Sequence, residues 1–213
     1  MNITIFGGTG KTGQLVVRKA LNKGYSVTVF ARSPSKISIV HDKLKIVKGE
    51  INDSQAVGDA IKQTDIVISM LGPVSADKGK GLPIMAGFYN ILKAMNEYKV
   101  NRLIATSTPS FEIEDDQFQF SFVLARLMVK TVMNNAYQNI VQSAHLICNS
   151  KVNWTIVRLP MLSDKPGLGR VVTGFRGDGM IKLFSLRRDD LADFLLSQID
   201  DTRFIRKAPI VSN

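Results

Sequence analysis

The chain has 213 residues, of which 45% are hydrophobic and 22% charged, an ordinary globular composition that argues against disorder and fits a single domain. Its one cysteine, Cys148, excludes an internal disulfide framework and points to a reducing compartment, with the cytoplasm as the expected location. The formal net charge is +10, yet no zinc-finger spacing or aromatic-basic recognition motif accompanies it, so a small anionic molecule is a better expected partner than a nucleic acid.

The elements follow in chain order. Residues 2–6 (NITIF) read as a short β-rich strand, stopped by glycines. Residues 11–23 read as a helix with Leu15, Val16 and Ala20 on one side, ended by Gly24. Strands are expected at 25–30 and 43–47, then a helix at 53–61 with Asp53 or Ser54 as its cap. A strand at 65–71 closes on Gly72-Pro73, a helix at 83–99 carries proline in its first turn, and a strand at 102–106 follows. Beyond it the rhythm loosens into an acid- and aromatic-rich loop at 109–119 and a long helical stretch at 122–150. A strand at 154–157, two short strand candidates around Gly177-Asp178-Gly179, a helix at 188–199 and a strand at 208–212 complete the chain. Strands alternating with helices of ten or more residues demand parallel pairing through right-handed crossovers. No apolar run reaches the ~18 residues of a membrane span. The nearest, at 118–133, is interrupted by Arg126 and Lys130, and residues 3–6 are too short for a signal peptide.

Chemistry concentrates where the first strand meets the first helix. Gly7-Gly8-Thr9-Gly10-Lys11-Thr12-Gly13 contains both Gly8-x-Gly10-x-x-Gly13 and Gly7-x-x-Gly10-x-x-Gly13. Glycines there allow a sharp turn, a close approach of the backbone to a pyrophosphate and tight helix–strand packing, while the helix start offers N–H groups to phosphates. Gly10-Lys11-Thr12 also invites a triphosphate-loop reading. That pattern needs a glycine at position 5, where Ile5 stands inside the strand, so a kinase or ATPase is excluded.

The next diagnostic position closes the second strand, where NAD-binding folds place an acid for the ribose hydroxyls. No acid occurs before Asp42; Arg32, Ser33 and Lys36 stand there instead. An arginine fork with a hydroxyl and a lysine suits a 2′-phosphate, so NADPH is expected in preference to NAD. Lys19 and Lys23 read as a solvated helix face. For Arg32 the competing readings are a solvent-facing side chain or a pair with Asp53.

In order along the chain, GGTGKTG, ARSPSK, GEIND, ISMLGP, ATSTPS and NWTIVRLP together resemble an atypical short-chain dehydrogenase/reductase, with NmrA-like NAD(P)H-binding proteins and the biliverdin reductase B (flavin reductase) family as the nearest groups. The resemblance spans nearly the whole chain. It implies a Rossmann-type doubly wound α/β domain over 1–213, with helices on both faces of a mainly parallel sheet and a small substrate cap near 160–187. It also implies that Glu50, in place of the family's usual aspartate, and Ile51 border the adenine. Leu71, Gly72 and Pro73 would cover the ribose and pyrophosphate, Ser107 and Thr108 would face the nicotinamide, and Leu159, Pro160 and Met161 would close over its ring.

Typical members of this superfamily activate a tyrosine through a lysine four residues on. Tyr137 lies on the appropriate helix, but Val141 replaces the lysine. Tyr137 is therefore expected to pack or touch substrate, leaving Ser107 and Thr108 as candidate donors or as caps of their loop. Arg158 reads as structural, facing a buried acid. His145 and Cys148 share a helix face but do not make a metal site. Glu112, Glu114, Asp115 and Asp116, beside Phe111, Phe118 and Phe120, suggest a mobile lid. Leu124, Leu127, Met128 and Met133 suggest core packing or a subunit contact; monomer and homodimer both stay open. The expected activity is NADPH-dependent hydride transfer to a small, flat, conjugated acceptor of flavin or quinone type. The alternative is a non-catalytic NADP(H) sensor, and a nucleotide-sugar epimerase fares worst because the tyrosine base is missing.

Overall fold

The computed structural model describes residues 1–72, 83–120, 127, 130–131, 133–181 and 185–213. Among these residues seven strands run parallel through the main sheet: β1 (Asn2–Phe6), β2 (Ser26–Ala31), β3 (Leu44–Lys48), β4 (Ile66–Ser69), β5 (Arg102–Ser107), β6 (Asn153–Arg158) and β10 (Ile210–Ser212). β8 (Val172–Gly174) adds to β10 in antiparallel sense, giving the order β3-β2-β1-β4-β5-β6-β10-β8. β7 (Leu162–Ser163) and β9 (Leu186–Arg187) form a separate parallel pair.

The central strands are buried on both faces, and so read as unbroken apolar runs rather than as alternation. β4 is buried throughout its length. Alternation survives in where the side chains go. Ile3 and Ile5 join the core beneath α1 (Lys11–Asn22) and the last helix, and Phe6 joins the core beneath the intervening helices. Those are α2 (Ser54–Ile61), α3 (Pro83–Glu97) and α4 (Asn134–Cys148); the last helix is α5 (Arg188–Ser197). Each fully buried Ile, Leu or Phe contributes about 1.5–3 kcal/mol.

Local chemistry sets the boundaries. The Gly24 N–H bonds to the Leu21 carbonyl and the Tyr25 N–H to Ala20, closing α1 with Gly24 at φ +84°. Asp53 caps α2, its Oδ1 accepting from the N–H groups of Gln55 and Ala56 at 3.0 Å each.

Several expectations need correction. The helix expected over 122–150 is interrupted at Met133, whose φ of −127° and ψ of 46° place it outside helical geometry as the N-cap of α4. Leu127 and Met133 are exposed, which overturns core packing for them and leaves the subunit contact open; Leu124 and Met128 lie outside the described residues. Among the described residues the short strands on either side of Gly177-Asp178-Gly179 do not pair with each other: β8 pairs with β10 and β9 with β7. The turn itself forms, Asp178 accepting from the N–H groups of Phe175 and Met180. Lys19 is not a solvated lysine, since it reaches Asp189 at 2.9 Å and Asp193 at 2.6 Å and so ties α1 to α5. Among the described residues no helix is long and apolar enough to cross a membrane.

From β3 the chain crosses back to place β4 on the other side of β1, so the strand order reverses between β1 and β4. Ligands of open α/β sheets bind in the crevice outside the carboxyl ends of strands at such a point. The glycine loop leaves β1 there, and Met70-Leu71-Gly72 leaves β4.

Candidate active site

The glycines of the loop have separate tasks. Gly7 holds φ +82°, and a Cβ on it would stand 2.8 Å from the Met70 carbonyl oxygen. Gly13 presses α1 onto the loop, where a Cβ would fall 2.2 Å from the Gly7 oxygen. Gly10 differs: its nearest neighbour would lie at an ordinary 3.5 Å. Nothing among the described residues crowds a Cβ at that position, which leaves the cradle beside it free for a ligand. Gly10 is also the N-cap of α1, with no side-chain cap and no acid in the first turn. The positive end of the helix therefore faces that cradle unneutralised.

Two cavities open from the loop. The larger, about 410 Å³, is lined by Lys11, Thr12 and Gly13, by Thr106, Ser107 and Thr108 at the end of β5, by Leu159 and Pro160 after β6, and by an apolar wall that includes Phe88, Ile140, Ile147 and Leu191. The smaller, about 330 Å³, is lined by Thr9, Phe30, Arg32, Ser33, Lys36, Glu50 and Ile51. Gly7, Gly10, Met70, Leu71, Gly72 and Ile84 border both. The donor set thus has the layout of a dinucleotide: cations and a hydroxyl at one end, a glycine cradle in the middle, and an apolar chamber with hydroxyls at the other. A nicotinamide dinucleotide fits these residues.

All the candidate site residues in described positions border one of the cavities except Met161, and Pro73 lies outside the described residues. Met161 is 78% exposed, and the wall next to Pro160 is completed by Leu162 instead. Leu162 is half-buried against the core beneath α1 and α5. Arg32 is exposed and makes no ion pair with a described residue; Asp53 is engaged in capping α2. The Ser107 carbonyl accepts from the Leu159 N–H at 2.8 Å, joining the two loops that flank the larger cavity. The Thr108 and Ser110 hydroxyls lie 2.8 Å apart. Tyr137 is half-buried and does not line the cavity.

The acidic loop is not a free lid at its centre. Asp116 forms a buried pair with Arg158, Glu112 meets Arg176 at 2.7 Å, and Phe111 is buried. Around that anchored centre Glu114 and Asp115 are exposed, as are Phe118 and Phe120 at its aromatic end. Cys148 is partly buried, and burial pushes its thiol up to about 11; among the described residues no cluster could hold a metal ion.

Three polar lining residues were not anticipated. Thr106 extends the hydroxyl edge. Ser143 sits on the stripe of α4 that carries Ile140 and Ile147, with a buried hydroxyl that has no hydrogen-bond partner among the described residues. A polar residue on an apolar stripe was its available signal. Arg188 opens α5, where a cation opposes the helix dipole, and that misfit was legible too.

The sequence matches the NAD(P)H-binding family over residues 7–202. The isoflavone reductase homolog A622-like protein of Nicotiana tabacum is 26% identical over 216 residues, covering 96% of this chain and 66% of the relative. Leucoanthocyanidin reductase of Desmodium uncinatum is 24% identical, covering 95% and 53%. The chain therefore spans about two thirds or less of the length of these relatives. A short-chain dehydrogenase/reductase of Veillonella parvula in complex with NADP superposes with a TM-score of 0.79 at 18% identity, covering all of this chain and 94% of that one. ChuY, an anaerobillin reductase of Escherichia coli, gives 0.79 at 15% identity, with 100% and 97% covered. Both share the fold. The chain belongs to the NAD(P)H-binding family and has the Rossmann fold, in keeping with the atypical short-chain dehydrogenase/reductase character of its motifs.

Proposed function

We propose that the protein is an NADPH-dependent oxidoreductase that reduces a flat, conjugated acceptor of flavin or quinone type. The observation that carries this reading is the larger cavity. It is contiguous with the nucleotide groove, apolar on its broad walls, and edged by the Thr106, Ser107 and Thr108 hydroxyls. When bound, NADPH supplies a hydride. Arg32, Ser33 and Lys36 hold the 2′-phosphate, and the start of α1 holds the pyrophosphate. Leu159 and Pro160 keep water from one side, and the hydroxyl edge orients the acceptor. Among the described residues, no carboxylate, imidazole, thiol or phenol lines this cavity. The proton that completes reduction then comes through a hydroxyl or from water, which suits an acceptor that needs no strong acid.

The same lack of an acid–base group favours a second reading, a non-catalytic NADP(H) sensor. An epimerase would need a tyrosine base, and Tyr137 stands away from the cavity. The test follows NADPH oxidation at its near-ultraviolet band with a panel of flavins and quinones. Turnover above the uncatalysed rate supports the reductase. NADPH binding with no turnover on any acceptor supports the sensor.

A further inference from the structure

Lys11 and Arg188 are the two charged residues lining the larger cavity among those described. They begin α1 and α5, so each adds its charge to the positive end of a helix. The two acids that follow Arg188 are engaged elsewhere. Asp189 pairs with Lys19, and Asp190 accepts from the N–H groups of Leu168 and Gly169 at 2.8 Å each.

Asp164 instead lies between the two cations. Its Oδ2 takes Lys11 Nζ at 2.5 Å and its Oδ1 takes Arg188 Nη1 at 2.6 Å. It has no other hydrogen bond to a described residue and is 56% exposed. Asp190, held by backbone donors, is a fixed anion; Asp164, held only by the ends of two flexible side chains, is a displaceable one.

We propose that Lys11 and Arg188 form an anion subsite for the acceptor, that Asp164 fills it in the acceptor's absence, and that a phosphoryl or carboxylate arm on the acceptor takes the place of Asp164. This rests on the reading of the larger cavity as the acceptor chamber. Exchange of one anion for another keeps both cations paired, and a phosphoryl group offers the guanidinium more acceptor oxygens than one carboxylate does. The arm belongs to the acceptor rather than to the cofactor pyrophosphate. Arg188 lines neither the smaller cavity nor the strip around Gly7 and Gly72 where the two meet. The substrate class is thereby narrowed to a planar conjugated molecule with an anionic substituent.

The test uses the protein saturated with NADP⁺, which permits no turnover, titrated with flavin mononucleotide and with riboflavin, which differ by one phosphate. Quenching of flavin fluorescence reports binding, and circular dichroism checks each variant. Flavin mononucleotide should bind at least about tenfold more tightly than riboflavin, and Arg188→Gln should bring that ratio towards one. Asp164→Asn, an exposed and conservative change, should raise flavin mononucleotide affinity severalfold without helping riboflavin. Equal affinities in the unaltered protein, or weaker flavin mononucleotide binding by Asp164→Asn, would overturn the proposal while leaving the acceptor reading intact. Loss of NADP⁺ affinity in Arg188→Gln with an unchanged flavin ratio would assign the arginine to the cofactor and also overturn it. If neither flavin binds, the acceptor reading fails and the subsite fails with it.

Discussion

Arg158 and Asp116 form a buried two-pronged ion pair: Nη1 donates to Oδ2 at 2.6 Å and Nη2 to Oδ1 at 2.7 Å, with both side chains 1% exposed. The pair fastens the loop after β5 to the end of β6. Arg158 Nε also bonds the Ala208 carbonyl, and Asp116 accepts from the N–H groups of Arg176 and Ile113. Leu159, which lines the larger cavity, is the next residue after Arg158, so the pair also sets one wall of the site.

Asp116→Ala should therefore destabilise the fold by about 3–5 kcal/mol, because it strands a buried guanidinium. Burial pushes the Asp116 carboxyl up, but the Arg158 guanidinium and the two backbone donors outweigh it, and the net effect lies below the usual carboxylate value. A depressed native value gives stability that is complete above the unfolded pKa of about 3.9 and lost as pH falls through the native one. Urea unfolding of both proteins should show a constant difference from pH 7 to 5 and a shrinking one below about pH 4. A difference that grows in acid would contradict this account.

Gly10 and Gly13 should separate binding from folding. A Cβ at Gly10 meets no close contact among the described residues, so Gly10→Val should fold, but its side chain would occupy the cradle for the pyrophosphate and should abolish cofactor binding. Gly13→Ala drives a methyl to 2.2 Å from the Gly7 oxygen and should lower the melting temperature as well. Circular dichroism with a nucleotide titration distinguishes the two. Tight binding retained by Gly10→Val would reduce the loop to a turn.

Cofactor choice should follow Arg32. A charge-assisted hydrogen bond is worth about 1.5–3 kcal/mol, so NADPH should bind roughly 10- to 100-fold more tightly than NADH. Arg32 is exposed beside the smaller cavity with no ion pair to a described residue, which leaves its fork available. Arg32→Asp should shrink or invert the preference, read by fluorescence titration with both cofactors. Equal affinities in the unaltered protein would refute the assignment.

These expectations trace what was legible in the sequence. The glycine loop, the apolar strands and the caps at Gly24 and Asp53 are local patterns, so one stretch of chain displays them whole. Asp116 and Arg158 stand 42 positions apart, Lys19 and Asp193 174 apart, and a charge seen alone does not announce its partner. For that reason the acidic loop read as a lid and Lys19 as solvated. Arg158 was readable as structural because it closes an apolar strand and resembles the strand arginine of the family. Met161 came from the resemblance rather than from a local pattern, and in the structure Leu162 borders the cavity where Met161 does not.

The chemistry itself gives the last prediction. Tyr137→Phe should change turnover little, since Val141 leaves the tyrosine no lysine and its ring does not line the cavity. Ser107→Ala and Thr108→Ala remove hydroxyl-bearing side chains that do line it. A positioned proton donor contributes about 10²- to 10⁴-fold, whereas a hydroxyl that orients a flat acceptor contributes less. A fall of about tenfold in kcat/KM, near 1.4 kcal/mol of transition-state binding, is therefore expected for each. Thr108 shares its hydroxyl with Ser110, so Ser110→Ala should have a smaller effect in the same direction by freeing the Thr108 rotor. The measurement is steady-state NADPH oxidation with the best acceptor of the panel, all four variants compared at one pH. If Tyr137→Phe abolishes turnover while the Ser107 and Thr108 variants are silent, the proton comes from a tyrosine acid and the hydroxyl edge has no catalytic part.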